Sequence, residues 1–355
     1  MAAAITARST IVGIENAVTT WGTAYPPTTL DMVLLESLGP LIDPSEIIPD
    51  PAAGYAWVQY LDKCRKNVAP EINAVLRYSS RLWSLVAQCM GTDTPGGGSD
   101  PYSHVLTLKD AIDGVDYWCT VAGQLGPSAG ELLFEWPSVK PVGFTIEGPN
   151  GQGYMGLSVR TIADTLKLGG DCTTSTANID ALTHMANAGV LSPMVPFGGA
   201  RFRLNAQGGG ALAAGDNLAI KRFAFTFDRV FDREWATRNA YANEWETAEP
   251  IEGGIPAQSL VIELGDLNAL TYLEAFQDET EYKAEMYFQL SANHDIKFEF
   301  PRLRVFNAEP DPVSGANRIK QTLNFLPMLA SAAPTGMTCT NWQITVRDGG
   351  SAALT

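Results

Sequence analysis

Apolar and polar residues alternate with period two through much of the C-terminal half of this chain. Phe202 and Leu204 stand against Arg201 and Arg203, and Phe223, Phe225 and Phe227 against Arg222, Thr226 and Asp228. Ala284, Met286, Phe288 and Leu290 stand against Lys283, Glu285 and Gln289. Leu323 and Phe325 stand against Lys320, Thr322 and Asn324, and Trp342, Ile344 and Val346 against Gln343, Thr345 and Arg347. Because strand side chains point to opposite faces in turn, this pattern predicts half-buried antiparallel strands with one wet face.

The N-terminal half reads differently. Leu82, Leu85, Val86, Cys89 and Met90 form one helical stripe and predict a helix over 80–90. Ser79 or Ser80 is placed to cap its start, and Gly91 to end it. The run 94–99 reads as a flexible loop. Strands are predicted at His104–Leu108, Tyr117–Val121, Val142–Glu147 and Gly156–Leu168, with a turn-rich hairpin connection at 147–153. Val33–Leu35 reads as a strand, 1–30 as a leading arm, and the Pro-rich stretch 39–67 as a long loop of the length that is usually functional. Residues 171–200, with a short helix over 178–190, read as a linker or surface insertion.

Two stretches share one plan, a strand running into a short amphipathic helix. Pro70 falls on Pro256, Val75 on Val261 and Leu76 on Ile262, an offset of 186 residues (261 − 75). The following stripe of Ala269, Tyr272, Leu273 and Phe276 matches that of the first helix with one residue inserted, and Asp266 is placed as its N-cap. Thr161–Gly170 resembles Asn341–Gly350, a strand ending in Gly-Gly, at an offset of 180 (341 − 161). Tandem duplication explains both offsets; chance similarity of two strand-helix units is the alternative. The division expected is a first module over 1–170, a linker over 171–200 and a second module over 201–355.

Composition narrows the function. At 355 residues the chain has room for about two domains of roughly 150 residues. Asp and Glu total 39 against 24 Lys and Arg, a formal charge of −15, and no basic run exists. Such a chain is expected to repel free nucleic acid and anionic membranes. The five cysteines, Cys64, Cys89, Cys119, Cys172 and Cys339, show no CxxC pairing and read as reduced. His104, His184 and His294 are isolated, so a zinc site is not expected. No signal peptide or long apolar span is read, so folding in a cytoplasm is expected.

Catalytic chemistry is not legible. Gly96–Gly98 and Gly208–Gly210 lack the Lys-Ser/Thr of a phosphate loop, and Gly148–Gly153 reads as a hairpin turn. The acidic groups Glu244/Glu246 and Asp278/Glu279/Glu281 resemble glycosidase pairs only in type; solvated charge is the default in so acidic a chain. Asp93, Asp100 and Asp110 lack calcium-loop spacing. Asp232–Trp235 reads as an interface or turn. No catalytic residue, cofactor or metal is expected.

The runs Phe298–Val305, Pro312–Phe325 and Trp342–Val346 resemble the tail tube proteins of long-tailed bacteriophages. So do Phe223–Arg229 followed by Pro250–Gly254, the N-terminal Thr20–Pro27, and Leu76–Tyr78 leading into a helix. The resemblance spans nearly the whole chain, carried by order and spacing.

The resemblance implies a mainly β fold of two tandem tail-tube-type β-sandwich or barrel modules. Each would carry one short α-helix, and copies would assemble into a ring-closed β-barrel. It implies no enzyme, but a structural subunit of stacked rings through which DNA passes without specific binding. Its partners would be itself and other tail proteins (tape measure, terminator, distal tail), in a virion tail assembled in a bacterial cytoplasm. Two modules per chain would close a ring as a trimer, with a hexamer as the alternative. Candidate channel-facing residues are Lys283, Glu285, Gln289, Lys320, Thr322 and Asn324, and the acidic charge would limit DNA adhesion. The arm and the 39–67 loop are candidate ring-to-ring contacts. Other readings are a tail terminator or decoration protein, and a carbohydrate-binding or hydrolysing β-sandwich.

Overall fold

The computed structural model describes residues 10–16, 20–28, 32–39, 47–49, 61–63, 70–96, 102–110, 118–125, 132–149, 153–182, 192–232, 235–237, 245–247, 250–264, 269–308 and 321–348. The protein is mainly β, with 55% of residues in strands. The N-terminal part contains β1 (Thr10–Glu15), β2 (Met32–Val33), β3 (Ser37–Leu38), β4 (Ile47–Pro49), β5 (Leu61–Lys63) and β6 (Ile72–Val75). Then come α1 (Leu82–Met90), β7 (Gly91–Gly96), β8 (Tyr102–Leu108), β9 (Cys119–Leu125), β10 (Leu132–Gly148), β11 (Gly156–Ala163), β12 (Lys167–Leu168) and α2 (Thr176–Asp180). The C-terminal part begins with β13 (Ala200–Ala206), β14 (Ile220–Asp228), β15 (Phe231–Asp232), β16 (Trp235–Thr237), β17 (Trp245–Thr247) and β18 (Ile251–Glu252). It ends with β19 (Ala257–Leu264), α3 (Ala269–Gln277), β20 (Glu281–Ser291), β21 (His294–Asn307), β22 (Thr322–Pro327) and β23 (Gln343–Asp348).

The main sheet is antiparallel and folds over on itself. One wing runs β3-β6-β11-β10-β14-β19-β22. The other runs β13-β20-β21-β23-β8-β7. The long strand β21 joins them: its N-terminal half lies beside β23, and its C-terminal half beside β22. Followed from strand to strand, the described ladders never return to their start, so within one chain the sheet is open.

Alternation builds the core between the wings. Phe223, Phe225 and Phe227 of β14 are fully buried and meet the other wing. Phe225 lies 6.4 Å from Phe298, 5.2 Å from Phe300 and 4.8 Å from Trp342, centroid to centroid. Each such side chain contributes about 1.5–3 kcal/mol on burial, and edge-to-face geometry adds to it. The buried Trp342 Nε1 donates to Gln258 Oε1 at 2.6 Å, so its polar atom is satisfied. Of the alternating apolar positions, Leu290 departs: it is 48% exposed near the end of β20.

Every residue of α1 is buried, as expected of a helix apolar on more than one side. It packs against β10, β7 and β8. The N-cap of α1 is Arg81, not Ser79 or Ser80, and it makes no side-chain cap bond, although Ser80 Oγ accepts from Leu82 N at 3.2 Å; Gly91 ends the helix at φ 96°. The predicted loop at 94–99 begins instead as strand, because 91–96 pairs with β8. Likewise the leading arm contains β1, paired along its length with β9. The segment 171–200 is largely at the surface where described, with Thr176, Ala177 and Asp180 of α2 exposed, but it is anchored by a few buried side chains. Ile179 and Leu182 pack on Ala122 and Leu133, and Val195 is buried. Its helix is α2, shorter than expected; 183–190 lie outside the described residues.

The two stretches related by the 186-residue offset hold similar positions in their ladders. β3 pairs with β6 through Ser37↔Asn73 and Leu38↔Ile72, and β14 with β19 through Thr226↔Ser259 and Phe227↔Gln258. The partners on β6 and β19 are those the 186-residue offset superposes. Each pair is joined by an excursion carrying small two-stranded ribbons: β4–β5 in the first, β15–β18 and β16–β17 in the second. A nine-residue helix follows each time, α1 or α3, then a left-handed residue, Gly91 or Glu279, then a hairpin. The C-terminal match differs from expectation. The strand beside β19, as β11 is beside β6, is β22, whereas β23 pairs with β21 and β8. The two units also share one apolar core, and β10–β14 and β8–β23 are ladders between them. Asp266 and the second Gly-Gly lie outside the described residues.

Candidate functional site

The wings turn their outer, wet faces in opposite directions, because their inner residues meet in one aromatic core. This divides the expected channel residues. Glu285 and Gln289 lie on β20 in the second wing; Thr322 and Asn324 lie on β22, paired with Glu263 and Val261 of the first. Lys320 lies outside the described residues. Lys283 is not on a wet face. It is buried, and its Nζ donates to Gly209 O at 2.8 Å and Thr335 O at 3.0 Å. The connections between β13 and β14 and between β22 and β23 cover it, an effect that period-two reading does not register. Burial lowers the Lys283 pKa.

The wet face of the second wing carries an ion-pair network. Register places Arg203, Glu285, Glu299 and Gln343 in one row, and Arg201, Tyr287, Lys297 and Thr345 in the next. Arg203 lies 3.3 Å from Glu285, Lys297 lies 2.7 Å from Glu299 and 3.4 Å from Glu285, and Arg347 lies 3.0 Å from Asp295. Burial would lower the Lys297 pKa, but Glu299 and Glu285 hold it above its ordinary value. Burial raises Asp295 against the opposing pull of Arg347. Arg201 stacks on Tyr287 at 4.7 Å and donates to Gln289 Oε1. The cations here are matched by acids, so the face is not strongly negative despite the charge of the whole chain.

The first wing presents a row of small polar side chains: Ser37, Asn73, Ser158, Thr145, Thr226 and Ser259, one from each of β3, β6, β11, β10, β14 and β19. Asn73 Nδ2 donates to Ser37 Oγ at 3.2 Å, and the hydroxyls of Thr145 and Thr226 lie 3.2 Å apart. Beside the row, Arg160 on β11 reaches over Gly143 of β10 to Asp228 of β14, with Nε 2.6 Å from Oδ1. Arg222 pairs with Glu147 at 2.8 Å. Sequence reasoning placed Asp228 and Arg222 on a wet face but missed this row. Its members are spread over six strands, and only the register aligns them.

A third surface is a groove of mixed character, in which Glu279 pairs with Arg304 beside several exposed apolar side chains. Two adjoining cavities of about 450 and 540 Å³ share Phe276 and Gln277 of α3 and Phe306 of β21. Leu273 lines one, and Arg304, Leu326 and Met328 line the other. Phe276 is 46% exposed, Phe306 51% and Leu326 41%. Exposed side chains of this size, gathered in one place, mark interaction sites.

The chain matches no known protein family and no curated protein. What the described residues offer chemically is therefore read from geometry alone. Burial pushes the Cys89 thiol up to about 12 and raises Cys119 as well, which makes both poor nucleophiles at neutral pH. Among the described residues no cluster of His, Cys, Asp and Glu is arranged to hold a metal, and no helix is long and apolar enough to cross a membrane.

Proposed function

We propose that this chain is a structural subunit that assembles with copies of itself into rings and tubes, as a phage tail tube protein does. The observation that carries the reading is the repeated unit of strand, ribbon-bearing excursion, strand, nine-residue helix and hairpin. One copy of its helix is fully enclosed, while the other borders an open groove with exposed Phe276, Phe306 and Leu326. A chain with one unit covered and the next uncovered is built to continue into another chain. Heterologous contacts of this kind close into rings when the rotation fits, and ring closure also protects strand edges.

In this reading a paired, wet sheet face lines the channel. Low adhesion to DNA then follows from pairing: a phosphate that approached Lys297 or Arg347 would have to displace Glu299 or Asp295. Electron microscopy of the purified full chain tests the function. Rings or tubes with a central channel are expected. Monomers at every concentration, or monomers that bind glycans, would replace this reading with a decoration or carbohydrate-binding role.

A further inference from the structure

Two series of ladders in this chain run in the same order. In the first, β3-β6-β11-β10 lie side by side, and β1-β9 meet them at β10. In the second, β14-β19-β22-β21 lie side by side, and β13-β20 meet them at β21. Strand for strand, β21 takes the place of β10. A helix packs on each of the two, α1 on β10 and α3 on β21.

The series differ at one edge. On the side of β10 away from β11, β9 pairs as far as Val139, and β14 takes over from Gly143 to Gly148. The first strand of the second series thus continues the first series. On the side of β21 away from β22, β20 pairs as far as Arg304, and no described strand takes over beyond it. Met328 N donates to Arg302 O at 2.9 Å, so by antiparallel alternation Arg304 also bonds toward β22. Val305 then turns its N–H and C=O to the other side, where the groove lined by Phe276, Gln277 and Phe306 lies open between β21 and α3. A groove beside the end of a strand is the space into which a further strand is added.

We infer that β3 of a second copy pairs with β21 here, continuing the sheet between chains as the β10–β14 ladder continues it within one chain. β3 holds the position in the first series that β14 holds in the second, and among the described strands it pairs with β6 alone. Its Leu35 and Leu38 are half-buried against the core. At the other end of the sheet Phe276 and Phe306 are half-exposed. Docking brings these incompletely covered apolar side chains together and removes them from water. The contact is heterologous: each chain offers β3 to one neighbour and the end of β21 to the other, so a closed ring leaves neither edge open.

This inference rests on the self-assembly reading, and cross-linking of full-length chains separates the two. Ser37→Cys in one preparation and Phe306→Cys in another place a thiol on each side of the contact, both at exposed positions. The two are mixed in equal amounts while dilute, concentrated to allow assembly, and treated with a short bis-maleimide. Docking holds the two thiols close, so the mixture should yield at least about tenfold more covalent dimer than either variant alone, with the two introduced cysteines identified as the link by peptide mapping. Sedimentation velocity reads the assembly, and circular dichroism checks that each variant is folded. If Phe306→Cys does not fold, Asn307→Cys, also exposed, takes its place. Wild-type protein that assembles while the mixture gives no more dimer than the separate variants would overturn the pairing of β3 with β21 and leave the assembly reading standing. Wild-type protein that stays monomeric would overturn the assembly reading itself.

Discussion

Arg229 Nε donates to the carbonyl oxygen of Cys89 at 2.8 Å, so one side chain from the second unit closes the last turn of a helix in the first. The same guanidinium reaches Met90 O and Lys109 O and pairs with Glu252, all in a buried setting. Arg229→Met should destabilise the fold by about 3–5 kcal/mol, since it strands a carboxylate and several carbonyls away from water. Urea unfolding measures this, and both units should unfold together. A separate transition for each unit would show that the clamp does not couple them.

Gly143 is fixed by the ion pair that crosses it. A Cβ there would lie 2.0 Å from Asp228 Oδ1 and 2.7 Å from Phe227 O. The carboxylate can swing away, but the backbone oxygen cannot do so without moving β14. Gly143→Ala should therefore cost at least about 1–3 kcal/mol, and adding Asp228→Ala should recover only part of it. Thermal melts of the two variants check this; full recovery would show that the side chain alone is the obstacle.

Lys283 and Gln289 lie on the same strand and should behave differently. Lys283→Met leaves the carbonyls of Gly209 and Thr335 without their donor and should lower stability by about 1–3 kcal/mol. Gln289→Ala, at an exposed position, should stay within about 0.5 kcal/mol. Equal effects in chemical denaturation would contradict the buried role assigned to Lys283.

Alkaline pH should weaken the fold through Tyr78. Burial first, and then the charge of Asp295, pushes its phenol from 10.0 up to about 12. The unfolded chain loses this proton first, so the folded state binds more protons in that window. The tyrosine's contribution to stability is whole below pH 10 and is lost as pH rises through about 12. Tyr272 is also pushed up to about 12 and acts in the same sense. Tyr78→Phe should flatten the fall in melting temperature above pH 10 without abolishing it. An unchanged slope would mean that Tyr78 ionises as readily in the folded chain as in the unfolded one.

The strands of the second unit were legible because their inner residues are large and strictly alternate: Phe223, Phe225 and Phe227 can bury only on one side. The α1 stripe and its Gly91 terminus were legible for the same local reason. Residues 91–96 were not, because Gly, Pro and Thr carry turn signals that pairing with β8 overrides. Lys283 was misplaced because long connections cover a position whose strand periodicity points outward. The polar row from Ser37 to Ser259 depends on the register of six strands, which no local pattern fixes. The 186-residue offset between two strand-helix stretches was legible, whereas the matching pairings of β3–β6 and β14–β19 became visible only in the ladders.

The mass of a single closed ring tests the central claim most directly. Two units per chain predict a particle of three copies of the 38.2 kDa chain. Native mass spectrometry or mass photometry of isolated rings counts the copies. Three chains would agree with the duplicated unit as the element of assembly. Six chains would contradict that role for the repeat, and a monomer at all concentrations would contradict self-assembly altogether.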